Sequence, residues 1–578
     1  MLRLLKRHVI ALALASMLAA CGGGGGSSGG GSSGGAGGGP QAGPPPTEPE
    51  AARLLTQATF GPTESAIQSV VSSGSVNAWI TSQISAPPAS TTHLAHVSAV
   101  LAASGSADDN EFYQTWWRQA LSGQDQLRQR VAFALSQIFV ISLNDDVIDA
   151  RGAASYYDML TRNALGNYRD LLEEVTLHPM MGRYLTYLAN QKEDAAGTRS
   201  PDENYAREVM QLMTIGLVEL NADGTQRLNA GQPIPTYTSA DIAGLAKVFT
   251  GISWYHPAPT NNTFFGGGAD PERTFRPMIF YPNYHSTSEK VFLGTTIPAN
   301  ATVNVGGDID IALDRLFNHA NTAPFISHRL IQQLVTSNPS SAYVGRVAAV
   351  FANNGSGVRG DLGAVVRAIL TDTEARDISA AASSASFGKL REPLLRMANW
   401  ARAFGATSQT GNYLITSTSS NTALSQSALT SPSVFNFWRP GFTPPGTTQL
   451  GQRTLVAPEF QVVDEVTTAA YVNYMQDVIS NGIGQTPTGG TGRDVRATYT
   501  AEIALADNPS GLVDRMNSLL FYGQMSTTLR DRILAGVNAV AIPAANGSNQ
   551  AAIDTARYNR ARTAIFFSMI SPEYLVQR

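Results

Sequence analysis

The sequence predicts a mainly α-helical fold: one large multi-helix body with long loops and at most a small β excursion. Apolar residues recur at helical spacing in segment after segment, the helix starts carry legible capping residues, and strand-like runs are few. No period of about 20 to 50 residues recurs, which argues against a solenoid or a propeller.

The first element is an export signal. Met1 to His8 carries Arg3, Lys6 and Arg7, and Val9 to Ala20 is apolar and small. That stretch is too short to span a bilayer as a helix. The run Leu18-Ala19-Ala20-Cys21, ending in the single cysteine of the chain, resembles a bacterial lipoprotein processing site. The resemblance implies cleavage before Cys21 and lipidation of its sulfur and new N-terminus, which anchors the chain to a membrane, the outer membrane being the expected one. Two or more acyl chains make such an anchor stable. Residues 1–20 are thus the signal peptide, and residues 21–50 a tether. From Gly22 to Gly39 the tether is almost only Gly and Ser, then proline-rich to Pro49, so a flexible part precedes a stiffer one.

The helical body is expected over residues 51–578. Thr47-Glu48-Pro49-Glu50 has the form of a capping box, and Leu54, Leu55 and Ala58 follow at helical spacing. Phe60-Gly61-Pro62 stops that helix, and Thr63 caps the next, with Ile67, Val70 and Val71 apolar. Leu127 to Ser142 reads as a buried helix. Asp308 to Phe317, Phe325 to Val335, Tyr343 to Phe351, Leu362 to Leu370, Leu394 to Phe404, Gly511 to Leu520 and Ala561 to Ile570 repeat the periodicity. Phe275 to Tyr281 and Lys290 to Leu293 predict one hairpin-like excursion around Pro282-Asn283, and Thr302 to Val305 is too short to assign. Gly224 to Tyr237 and Gly405 to Ser431 read as loops, and Gly482 to Arg493 as a surface insertion.

The densest polar cluster is Ser200-Pro201-Asp202-Glu203-Asn204-Tyr205-Ala206-Arg207-Glu208. Ser200 at the cap, Pro201 at the first helical position and Glu203 at the third predict a helix start there. Asn204, Arg207 and Glu208 share a face, and Glu203 pairs with Arg207 at helical spacing. Two readings stand: a capping and ion-pair network that locks the fold, or a set of catalytic acids.

Several segments, in order, are similar to one family of exported bacterial proteins, the domain of unknown function 1800. They are Ala51 to Thr63, Asn163 to Leu172, His178-Pro179-Met180-Met181, Pro201 to Glu208, Thr236 to Ile242, Asn321 to Ile326 and Ser571-Pro572-Glu573-Tyr574. The resemblance covers about residues 51 to 578 and carries no established activity. It implies an exported protein, and as its expected partner a second exported family often encoded beside it, the domain of unknown function 1501, which looks like a sulfatase or alkaline phosphatase relative. Two departures matter. Many relatives have a Phe-Trp-His-Asn-His-Phe run where this chain has Ala134-Leu135-Ser136-Gln137-Ile138-Phe139, so a metal role for that histidine pair fails here. Their His-Asp-x-Gly-x-Lys stretch corresponds to His285-Ser286-Thr287-Ser288-Glu289-Lys290, which keeps His285 and Lys290 and loses the aspartate.

The remaining polar signals are weaker. His93 and His96 sit three apart without a completing carboxylate or cysteine, so no metal is expected there. His178 and His319 read as helix-end partners. Asp308, Asp310 and Asp314 lack the closing positions of a calcium loop and read as helix N-terminal acids. Tyr113, Trp116 and Trp117 read as core, whereas Trp254 and Tyr255 after Gly251 are candidates for a binding platform.

Composition narrows the function. Without Arg3, Lys6 and Arg7 the chain has 37 basic against 44 acidic side chains, a formal charge near −7, so nucleic acid is not an expected partner. With Cys21 lipidated no thiol remains, which excludes disulfides, thiolate catalysis and cysteine-ligated zinc. No cofactor is expected. Two functions follow: an accessory or binding lipoprotein of the cell envelope that works with another exported protein, or a hydrolase of an extracellular polymer such as a polysaccharide. For the second, the weak candidates are Glu203, Arg207, Glu208, His285 and Lys290. Glu203 and Glu208, five apart, do not share a helix face, so a further acid such as Asp241 or Glu392 is required.

Overall fold

Helix starts in this chain are set by local chemistry. In a computed structural model that describes residues 45–446 and 454–578, Thr47 and Glu50 form the capping box of the helix Glu48–Ala58. Thr63 caps Glu64–Ser72 through the Ala66 amide. The signal peptide, Cys21 and almost all of the tether lie outside the described residues. Helices dominate: 25 of them, with only two-stranded sheets beside them, make up the secondary structure of the described residues. Their apolar faces meet in one continuous core that runs from Ala51 to Tyr574. Among the described residues, no helix is long and apolar enough to cross a membrane.

The structure corrects several expected boundaries. The buried helix ends at Ser136, and Phe139 to Ser142 continue as buried extended chain. There Ser142 Oγ donates to the Ser431 carbonyl and the Leu143 amide to that of Leu429, so tertiary partners replace the last helical turn. The single excursion around Pro282 is two separate strand pairs. Ile279–Phe280 pairs with Ile252–Ser253, and Lys290–Phe292 pairs with Thr295–Ile297. Short strands take whichever partner the core offers, which local sequence does not encode. The expected loops also carry strands: Leu228–Asn229 pairs with Gln232–Pro233, and Thr407–Ser408 pairs with Val495–Arg496 just past the expected insertion. Val305 opens the helix Val305–Asn318. Periodicity did not single out Glu465–Asn481 or Thr527–Ala539, whose buried faces are narrow.

Candidate functional site

The polar cluster at Ser200 to Glu208 does not form the expected cap. The helix begins at Asn204, with Glu203 at the cap position making no side-chain cap bond. Asp202 takes that role by accepting from the Asn204 amide at 2.8 Å. Asp202 is itself held by Asn190 and Thr186, and these tertiary bonds keep Ser200 to Asp202 out of the helix. Glu203 and Arg207 form a half-exposed ion pair at 3.2 Å, as expected. Glu208 is 7% exposed, and its Oε2 is buried without a hydrogen-bond partner. Burial raises its pKa and the Arg207 charge offsets this only in part.

The Glu208 charge is therefore a liability to the fold. Because its folded pKa is raised, the destabilisation is present at neutral pH and fades as the carboxyl protonates in acid. Glu208→Gln is expected to match or exceed the parent in urea unfolding at pH 7 and to lose that advantage below about pH 4.5, the ordinary carboxyl value. A loss of stability at pH 7 would mean that the charge has a partner.

His285 and Lys290 come together with a third residue that restores the missing aspartate. Asp308, in the first turn of Val305–Asn318, lies 3.0 Å from His285 Nε2 and 2.9 Å from Lys290 Nζ. His285 Nδ1 faces the Thr250 carbonyl at 2.7 Å, and Lys290 also donates to the Ser286 carbonyl. Burial pushes Asp308 up, but hydrogen bonds from His285 and Lys290 outweigh it and hold the carboxyl below its ordinary value. His285 is 1% and Lys290 2% exposed, and both ring nitrogens face oxygens, so the two bases are clamped on a half-buried Asp308. Glu203 and Glu208 are not part of it. Asp310 and Asp314 bind Arg169 on the surface. Asp241 caps its own helix and accepts from the Leu293 amide.

Histidines and aromatics divide between core and surface. His93 is fully buried between Phe112 and Tyr157, and burial pushes its pKa down to about 3. His178 caps Pro179–Tyr184 through Nδ1, and His319 accepts from the Asn321 amide just past a helix end. Among the described residues, no three His, Cys, Asp or Glu side chains gather as a metal site. Trp116 packs edge-on against Trp117 and Phe60 in the core. Trp254 and Tyr255 are half-buried, with the Arg273 guanidinium 4.6 Å over Trp254 and that of Arg276 4.7 Å over Tyr255.

A groove of about 1080 Å³ lies elsewhere. One side is the helix Thr322–Leu334, which buries Ile326, Leu330, Ile331 and Leu334 and turns Phe325, His328, Arg329 and Gln332 to the groove. Phe387, Phe435 and Leu217 add apolar wall, and Arg439 is exposed at its side. Gly216 has φ +72°, and a β-carbon there would lie 2.8 Å from the Phe325 ring, so this wall requires glycine. Burial and the neighbouring Arg329 push His328 down to about 4, which leaves it neutral beside a cation. Burial lowers Arg329 itself to about 10.

Under the groove is a recess of about 40 Å³, lined in part by Gln137, Ile138, Asn436 and Glu459. Beneath it the buried Lys389 ammonium sits 3.2 Å from Glu459 and 3.8 Å from Glu392, and donates to the carbonyls of Gln332 and Gln333. Gln137 and Gln426 both donate to Glu392 Oε2 at 2.8 Å, and Asn436 donates to Gln137. Ser337 donates to the other oxygen of Glu459. Burial raises the Glu459 pKa, Lys389 opposes this, and the Glu392 charge adds to it. Sequence periodicity placed Phe325 to Val335 on a helix but not the groove it faces, though Phe325, His328, Arg329 and Gln332 repeat at helical intervals opposite the apolar face.

The family comparison matches residues 53–576 to the family described as protein of unknown function (DUF1800). The chain belongs to the DUF1800 family. No curated protein and no solved structure matches it. In this DUF1800 protein the stretch Ala134 to Phe139 reaches the recess through Gln137 and Ile138.

Proposed function

We propose that this DUF1800 protein is a lipid-anchored accessory protein of the bacterial cell envelope whose groove receives an extended segment of another exported protein. The observation that carries the reading is the groove itself. It combines apolar wall from Phe325, Phe387 and Phe435 with the cations Arg329 and Arg439, a lining suited to an apolar segment bearing a carboxylate. The expected catalytic residues do not converge, since His285 and Lys290 are buried against Asp308, Glu203 and Arg207 pair with each other at the surface, and Glu208 is buried apart from both. The sulfatase-like family DUF1501 supplies the proposed partner, and Cys21 the proposed anchor to the outer membrane.

Two variants test this. Cys21→Ser is expected to move the protein from the membrane to the soluble fraction without changing its melting temperature. Persistent membrane association in high salt would contradict the anchor. Arg439→Glu reverses an exposed charge at the groove and is expected to abolish partner recovery after gentle crosslinking while leaving stability unchanged. Equal recovery of a partner by parent and variant, or of none by either, would count against the groove.

A second reading rests on Glu459, a carboxyl with a raised pKa at the recess below the groove. As a general acid it would make the protein a hydrolase of an extracellular polymer. Release of reducing sugars from a polysaccharide panel by the parent, and its loss in Glu459→Gln, would favour this reading over the first.

A further inference from the structure

The opening segment of the family resemblance, Ala51 to Thr63, contains an arginine whose charge the fold leaves unanswered. Arg53 lies on the inner side of the helix Glu48–Ala58 and is 1% exposed. All three of its guanidinium nitrogens are buried without a hydrogen-bond partner. Its one close partner is the Phe387 ring, 5.4 Å from the guanidinium carbon. Arg376 repeats the pattern, with Nε and Nη2 buried and unpartnered, and burial, with the Arg53 charge adding to it, pushes its pKa down to about 9. Burial disfavours both charges, the Arg53 charge further disfavours that of Arg376, and Asp377, beyond ion-pair distance, favours that of Arg53.

The nearby acids are engaged elsewhere. Asp377 caps the following helix by accepting from the Ala380 amide, and Glu50 closes the capping box with Thr47. Glu573 accepts from both the amide and the hydroxyl of Ser526. No carboxylate comes within ion-pair distance of Arg53 among the described residues. A buried ion without a partner costs several kcal/mol, and native folds retain such a group only when something answers it.

Arg53 lines a cavity of about 520 Å³, together with Tyr522, Gln524, Ser526, Arg578 and the Ser526-bound carboxylate of Glu573 on its polar side and Phe521 on its apolar side. Guanidinium forks match the oxygens of carboxylate, phosphate and sulfate groups, and do so most strongly where water is excluded. We propose that this cavity is an anion site, in which Arg53 binds the oxyanion of a small phosphate- or sulfate-bearing ligand with Arg376 supplying further positive potential. The volume exceeds what a bare ion needs, and Phe521, Ile378 and Val576 offer apolar surface for an organic body. The site is separate from the groove and does not depend on the function proposed for it.

The test uses inorganic phosphate and sulfate as probes on the full chain. A ligand that binds only the folded state raises the melting temperature with a saturable dependence on concentration. The parent protein is expected to gain a few degrees with either anion relative to chloride at the same ionic strength. Arg53→Met keeps much of the side-chain bulk, removes the unanswered charge and is expected to fold while losing this response. Arg376→Met is expected to weaken the apparent affinity roughly tenfold, the scale of one charge contact at about 1.4 kcal/mol. Vesicles with and without phosphatidylglycerol separate the two sources of the anion. Protection by free phosphate alone assigns a soluble ligand, and protection by anionic vesicles alone assigns a lipid headgroup. A parent that responds to neither, or an Arg53→Met variant that responds like the parent, would overturn the site.

Discussion

Lys389→Met is expected to lose roughly 3–5 kcal/mol of stability at neutral pH, the cost of stranding buried charge when one ion-pair partner is removed. Lys389 stands between Glu392 and Glu459, which are 0% and 2% exposed. Arg130 adds positive potential at Glu392 but donates to the Gln333 carbonyl, so it does not replace the lysine. Adding Glu459→Gln to the lysine variant is expected to recover part of the loss, because the stranded charge then disappears. Urea unfolding at constant slope reads both numbers. A single variant within about 1 kcal/mol of the parent would mean that water, and not Lys389, satisfies the two carboxylates, since an ordinary hydrogen bond has that net value.

The second large effect is expected at Gly244, inside the helix Ser239–Val248. A β-carbon there would overlap the Val291 carbonyl oxygen and lie 2.7 Å from its carbon, so helix and strand backbones touch directly. Glycine to alanine in a helix ordinarily gains up to about 1 kcal/mol. Here overpacking reverses the sign, with an expected loss of about 1–3 kcal/mol. The strand displaced is Lys290–Phe292, so the Lys290 contact to Asp308 loosens with it. Gly345→Ala in the helix Ser341–Ala352 is the control, since its β-carbon meets Asp223 only at ordinary distance, and it is expected to be neutral or stabilising. Equal melting temperatures for Gly244→Ala and the parent would contradict the close approach.

These effects mark the boundary of what the sequence reveals. Capping is chemistry within one turn, so Thr47, Thr63 and the helices that follow them were legible in advance. The clamp was half legible: His285 and Lys290 lie close in the chain, but Asp308 reaches them only through the packing of Val305–Asn318. Ser200 misled because Asp202, held by Asn190 and Thr186, competes for the same helix end. The groove was least legible, since Gly216, Phe325, Phe387 and Phe435 meet only in three dimensions. Each helix there has two informative faces, and apolar periodicity reports just the one turned to the core.

The pairing of Val576–Gln577 with Lys389–Leu390 bears on the order in which the molecule assembles. The Gln577 side-chain Nε2 also donates to the carbonyls of Leu334 and Val335, at the end of the helix that walls the groove. One short strand therefore ties the lysine segment to the groove helix across more than 180 residues of chain. Contacts this distant in sequence form late, after local helices have condensed. Nascent chains that stop short of this strand would hold most of their helices yet leave the groove unfastened, so the groove is completed as the closing event of folding.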